Sequence, residues 1–131
     1  MSIYCYSFIF ADKVITEDNG KKALIGVFRV FNLPVFPIPS PTWFVYVGLE
    51  QIPPGSHDFS INLVRDDATQ VVWAVSGEMN IDDKSNGAIE IVLPVINCIF
   101  HKPGKHTMTF NIDGRQIAAR VIDINQVTKS R

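Results

Sequence analysis

The sequence predicts an all-β domain, an antiparallel β-sandwich of about eight strands with Ig-like or jelly-roll-like connections, on three observations. Pro and Gly, eight of each, leave few windows long enough for a helix. The windows free of both alternate polar and apolar residues with period two, as a strand with one buried face does. Turn signals recur about every 8 to 12 residues, the spacing of sandwich hairpins.

The first strand covers Tyr4 to Phe10 and places Tyr4, Tyr6, Phe8 and Phe10 on one face, which is expected to enter the core. Thr16-Glu17-Asp18-Asn19-Gly20 reads as a turn, because Asn-Gly supplies the positive φ angles of a tight reversal. A second strand covers Ala23 to Phe31, with Gly26 marking a bulge or a close approach by another chain segment and Phe28 filling the space beside it. From Asn32 to Pro41 four prolines fix φ and remove backbone donors, so an extended crossover or rim loop is expected there. Strands resume at Thr42 to Leu49, His57 to Arg65, Gln70 to Ile81 and Ala88 to Leu93. Pro94 to Phe100 lacks alternation and reads as a buried connection. Lys105 to Ile112 and Arg115 to Ile124 then form a hairpin about Asp113-Gly114. Pro54-Gly55-Ser56-His57 and Pro103-Gly104-Lys105-His106 are echoes, each launching an alternating strand. Residues 1–125 form one domain, with residues 126–131 as a flexible polar tail.

Composition excludes several classes of function. Hydrophobic residues make up 47% and charged residues 19% of the chain, and the mean hydropathy of +0.15 excludes a disordered chain. A net charge of -1 lacks the basic footprint of a nucleic-acid binder. No apolar run reaches the roughly 18 to 20 residues of a membrane span, so no membrane association is expected. The apolar start is interrupted by Ser7 and ends at Asp12, unlike a secretory leader. Cys5 and Cys98 lie among apolar neighbours and read as reduced buried thiols, so a cytoplasmic setting is expected.

Four constellations carry candidate chemistry. Ser56-His57-Asp58 has the residue types of a hydrolytic triad, but adjacent strand residues point to opposite faces. Cys98, His101 and His106 suit zinc as a thiolate with two imidazoles, yet need a fourth ligand; they read as a buried thiol and two surface imidazoles. Asp66-Asp67 and Asp82-Asp83 suit calcium at a sandwich rim, and read as ordinary turn formers. Trp43 and Trp73 would make a sugar platform if exposed, but core burial is the commoner fate in alternating strands. No nucleophile elbow, zinc-protease motif or phosphate-binding glycine loop occurs, so no catalytic, cofactor-binding or metal-binding residue is assigned.

The run Ala23-Leu24-Ile25-Gly26-Val27-Phe28-Arg29, following Phe10-Ala11-Asp12 and preceding Phe36-Pro37, resembles a family of small bacterial proteins known only as a domain of unknown function. Its pattern is an apolar strand ending in Ala-Asp, an acidic turn, then a hydrophobic-Gly-hydrophobic-Phe strand. The Pro54-Gly55-x-His57-x-Phe59 and Pro103-Gly104-x-His106 strand starts also match that pattern. The resemblance implies a β-sandwich and supplies no activity or catalytic residues.

These readings lead to a non-enzymatic interaction module without cofactors, self-associating or bound to a protein partner. Its contact surface is expected on one sheet face and on the apolar rim residues Val35, Phe36 and Ile38. The alternative is a small-ligand or carbohydrate-binding sandwich.

Overall fold

A computed structural model describes residues 3–127. Its strands are β1 (Tyr4–Thr16), β2 (Lys22–Phe28), β3 (Val30–Leu33), β4 (Ile38–Pro39), β5 (Trp43–Glu50), β6 (Gly55–Arg65), β7 (Gln70–Ile81), β8 (Ile89–Val95), β9 (Ile99–Phe100), β10 (Gly104–Ile112) and β11 (Arg115–Gln126). The chain is all-β: the described residues contain no α-helix, only a 3-10 turn at Asp83–Ser85. None is long and apolar enough to cross a membrane as a helix.

A four-stranded antiparallel sheet runs β2-β1-β5-β8, and a five-stranded sheet runs β3-β11-β10-β6-β7. The inward rows of both meet in one apolar core, Phe8, Phe10, Val45 and Val47 from the first with Ile61, Leu63, Met108, Phe110 and Ile122 from the second. Burial of these rows is the main stabilising term.

Eleven strands replace the expected eight. The stretch Ala23 to Phe31 is not one strand: the chain breaks at Arg29, sending β2 to the first sheet and β3 to the second. There β3 pairs parallel to β11, so the fold is not wholly antiparallel. The rim supplies the other two additions, because β4 and β9 pair as a separate two-stranded sheet. The connection read as wholly buried is mixed, with Cys98 and Phe100 in the core and Ile96 and Ile99 exposed. Gln126, expected in the tail, pairs with Leu33, and residues 128–131 of that tail lie outside the described residues.

β1 also departs from expectation. It runs past Ala11-Asp12 to Thr16, and a bulge between Cys5 and Ser7 switches its parity. Phe8 and Phe10 are buried, whereas Tyr4 and Tyr6 point outward. An extra residue shifts everything before it to the opposite face, and Cys5 takes the inward position opposite Leu49. The echoed strands β6 and β10 are antiparallel neighbours, but their histidines part: His57 stands half-buried at one end, and His106 is fully buried.

Gly26 has φ +71°, and a Cβ there would stand 2.3 Å from Asp12 Oδ2. A close approach is thus present as expected, but the neighbour is an aspartate side chain rather than Phe28, which packs inward. Gly26→Val is expected to destabilise by about 1 to 3 kcal/mol, read as a lower urea midpoint at unchanged m-value.

His106 packs edge-on to Phe100 at 5.3 Å, with Nδ1 3.1 Å from Gly104 O and Nε2 buried without a partner. Burial holds its pKa below the usual histidine range. The neutral ring therefore donates from Nδ1 and buries a bare lone pair on Nε2. With the folded value depressed, its stabilising contribution is full above about pH 6.5 and is lost as pH falls. His106→Met should flatten the loss of stability between about pH 7.5 and pH 5, measured by urea midpoints; an unchanged pH slope would contradict this.

Candidate functional site

The two sheets differ in their outward faces. On the five-stranded sheet, Thr107, Thr109, Asn111, Ser60 and Asn62 face solvent opposite the buried Met108, Phe110, Ile61 and Leu63, a largely polar alternation broken by Val64 and the 55% exposed Val71. Asn111 Nδ2 donates to Ser60 Oγ at 3.2 Å across that face.

The four-stranded sheet lacks this alternation. Register places Val27, Ala11, Phe44 and Pro94 in one row across all four strands, and Ile9, Tyr46 and Val92 in the next. Ile25 and Ile15 extend the patch along β2 and β1. Val27 is 59% exposed and Tyr4 53% exposed, with Tyr6, Ile15 and Ile25 also in solvent. Ala11 and Tyr46 at the centre of these rows are buried, so the apolar surface left in water lies on the flanking Val27, Ile25, Ile15, Tyr4 and Tyr6.

A tyrosine pair organises its far side. The Tyr6 ring lies over Gly48, where a Cβ would stand 2.4 Å from Tyr6 Cζ. Tyr46, buried beside it, donates its hydroxyl to Glu90 Oε2. Burial first, and then the Glu90 carboxylate, raise the Tyr46 pKa above the usual phenol value, so the hydroxyl stays protonated. Neither group offers a free base.

The structure distributes the sequence-predicted residues as follows. Val35 is exposed, whereas Phe36 and Ile38 are half-buried against the core. Cys98 and His106 are buried and His101 is exposed, so the reading of His106 as a surface imidazole is corrected: β10 alternation turns it inward with Met108 and Phe110. Among the described residues no three His, Cys, Asp or Glu side chains converge as a metal site requires. Asp66 accepts from Thr107 Oγ1 at 2.9 Å, Asp67 pairs with Arg65 at 2.7 Å, and Asp82 caps the 3-10 turn through Lys84 N. Both thiols are free, and burial pushes Cys98 up to about 12. Trp43 is 1% exposed and Trp73 half-buried, which removes the sugar platform.

His57 finds an aspartate, but not its neighbour Asp58. Asp113, in a hairpin turn with φ positive at both Asp113 and Gly114, brings Oδ2 to 2.6 Å from His57 Nδ1 and accepts from Asp58 N at 3.0 Å. His57 Nε2 stands 2.7 Å from Pro53 O. With an acceptor at each nitrogen the ring carries both protons, and the Asp113 hydrogen bond raises its pKa. The pair latches two turns together and leaves no lone pair for general-base chemistry. Only the Asp113-Gly114 turn signal marked the partner in the sequence.

A raised folded pKa means that this latch contributes fully below about pH 6.5 and loses its contribution as pH rises through the folded value. His57→Gln is expected to lower the urea midpoint more at about pH 5.5 than at about pH 9. Equal losses at both pH values would contradict a charged latch.

No curated protein matches the sequence. Among solved structures, the chain is similar to the Pseudomonas fluorescens alkylpurine DNA glycosylase AlkC, solved bound to DNA containing an abasic site analog, with 11% identity and a TM-score of 0.54. The match covers 95% of this chain and 30% of that one, so it concerns the fold of less than a third of the larger protein. A family model described as "Family of unknown function (DUF6941)" matches residues 6–125. The chain, an all-β protein with one apolar outer sheet face, belongs to that family.

Proposed function

We propose that the chain is a β-sandwich interaction module without catalytic activity that pairs with a second copy of itself in the cytoplasm. The observation that carries this reading is the group of exposed apolar side chains on the outer face of the β2-β1-β5-β8 sheet, Val27, Ile25 and Ile15 with Tyr4 and Tyr6, against a mainly polar β10-β6 centre on the other sheet. A twisted sheet face of this kind packs against another sheet at about 10 Å. A two-fold operator covers such a patch with its own copy. The charges at its margins, Lys13 and Glu90, are of opposite sign, which suits self-complementary docking. Val35 adds exposed apolar surface on the rim, while Phe36 and Ile38 also serve the core.

The structural neighbour was solved with DNA, but a net charge of -1 and an apolar face favour protein as the partner here. Two unbridged cysteines accord with a reducing compartment.

Light scattering coupled to size exclusion tests the reading at tens of micromolar. The expected species has twice the 14.7 kDa chain mass. Ile25→Glu, opposite Lys13 on the exposed face, should weaken association by about tenfold or more with an unchanged circular dichroism spectrum. A strictly monomeric native protein would overturn the proposal.

A further inference from the structure

β2 pairs with β1 only as far as Phe28 opposite Phe10, and the chain then leaves for the second sheet at Arg29. The fork left behind is a cleft of about 230 Å³ lined by Ile9, Phe10, Val27, Phe28, Arg29 and Arg120. Four apolar residues and two arginines, from separate segments, line one small space.

Arg120 is the anomaly. It lies directly opposite Met108 on β11, in the same inward row as Ile122 and Ile124, which are buried in the core. An inward row ordinarily carries apolar residues, and a guanidinium there is costly unless something pairs with it. Its position at the seam between β1 and β11 leaves the side chain exposed. Neither Arg29 nor Arg120 has a carboxylate, hydrogen-bond acceptor or aromatic ring as a side-chain partner among the described residues. Arg29 and Arg120 are both exposed, so their donors are open to an anion in the cleft they line.

We propose that this fork is a binding site for a small organic oxyanion, a carboxylate or phosphate ester whose charged group both arginines hold and whose apolar body lies against Phe10, Phe28, Ile9 and Val27. Guanidinium groups suit this task because their planar donors match the oxygen pairs of either group. The volume is below that of drug-sized pockets, which limits the body to about one ring. Ile9 and Val27 also belong to the outer face proposed for self-association, so the two readings are told apart by the arginines, which come from the β2–β3 corner and the second sheet.

The test titrates phenyl phosphate, benzoate and neutral benzyl alcohol into isotopically labelled full-length protein, following amide shifts of Ile9, Phe28, Arg29 and Arg120. Saturable millimolar binding of at least one anion, with no matching shifts from benzyl alcohol, is expected. The tighter of the two anions identifies a phosphate or a carboxylate site. Arg29→Gln and Arg120→Gln, each verified as folded by circular dichroism, should each weaken binding about tenfold. Raising salt from about 50 mM to about 500 mM should weaken it further. No saturable shift from either anion, or binding unchanged in Arg120→Gln, would overturn the proposal. Light scattering on the same variants separates this result from the oligomer: loss of anion binding with an unchanged mass leaves self-association standing.

Discussion

The structure turns on the aromatic cluster around Trp43. Its ring stands 5.4 Å from Phe10, 5.5 Å from Phe28 and 5.6 Å from Phe31, and Phe31 continues the contact to Phe100 at 5.8 Å. These rings come from β1, β2 and β5 of one sheet, from β3 of the other, and from the rim strand β9. Phe28 and Phe31 flank the break at Arg29, and a straight strand would point residues three apart to opposite faces. Both turn inward only because the chain changes sheets between them. Edge-on aromatic pairs contribute about 0.5 to 1.5 kcal/mol each beyond area burial, so this cluster fixes where the two sheets join.

That corner has consequences for the surface. It brings β3 beside β11 in parallel, where Asp123 N donates to Arg29 O at 3.0 Å and Val127 N to Leu33 O at 3.0 Å, anchoring the last strand. It also ends the β1–β2 pairing early and opens the cleft beside Phe28. Core geometry thereby creates the fork, and the two arginines give that fork its chemistry.

The outer faces show a separate division of labour. Polar alternation on the five-stranded sheet costs nothing in water and keeps that side solvated. The apolar rows of the four-stranded sheet remain in contact with water unless another surface covers them. Part of the apolar excess behind the mean hydropathy of +0.15 lies on this face, in Val27, Ile25, Ile15, Tyr4 and Tyr6, and the rest is spread over Val30, Val71, the rim and the Ile96–Ile99 connection. Tyr46 shows how a polar group is settled within that face, its buried hydroxyl donating to the exposed Glu90.

Strand content, most turn positions and the inward rows of β6 and β10 were legible in the sequence, because period-two alternation is a local property and both strands keep it, whereas β5 is apolar on both faces. Ile61, Leu63, Met108 and Phe110 are the inward residues that alternation predicts. Alternation misplaced Tyr4 and Tyr6, since one bulge reverses parity and no residue type announces it. It also joined β2 to β3, since nothing in Ala23 to Phe31 marks a change of sheet. Asp113 reaches His57 through the pairing of β10 with β6, from a turn 56 residues away along the chain, which spacing alone does not reveal. The sequence by itself determined an all-β chain with an apolar excess and no catalytic signature. Tertiary structure sets which apolar side chains stay in water and brings Arg29 and Arg120 to one cleft, because both depend on how distant strands pair, and pairing is set by the shared core rather than by neighbours along the chain.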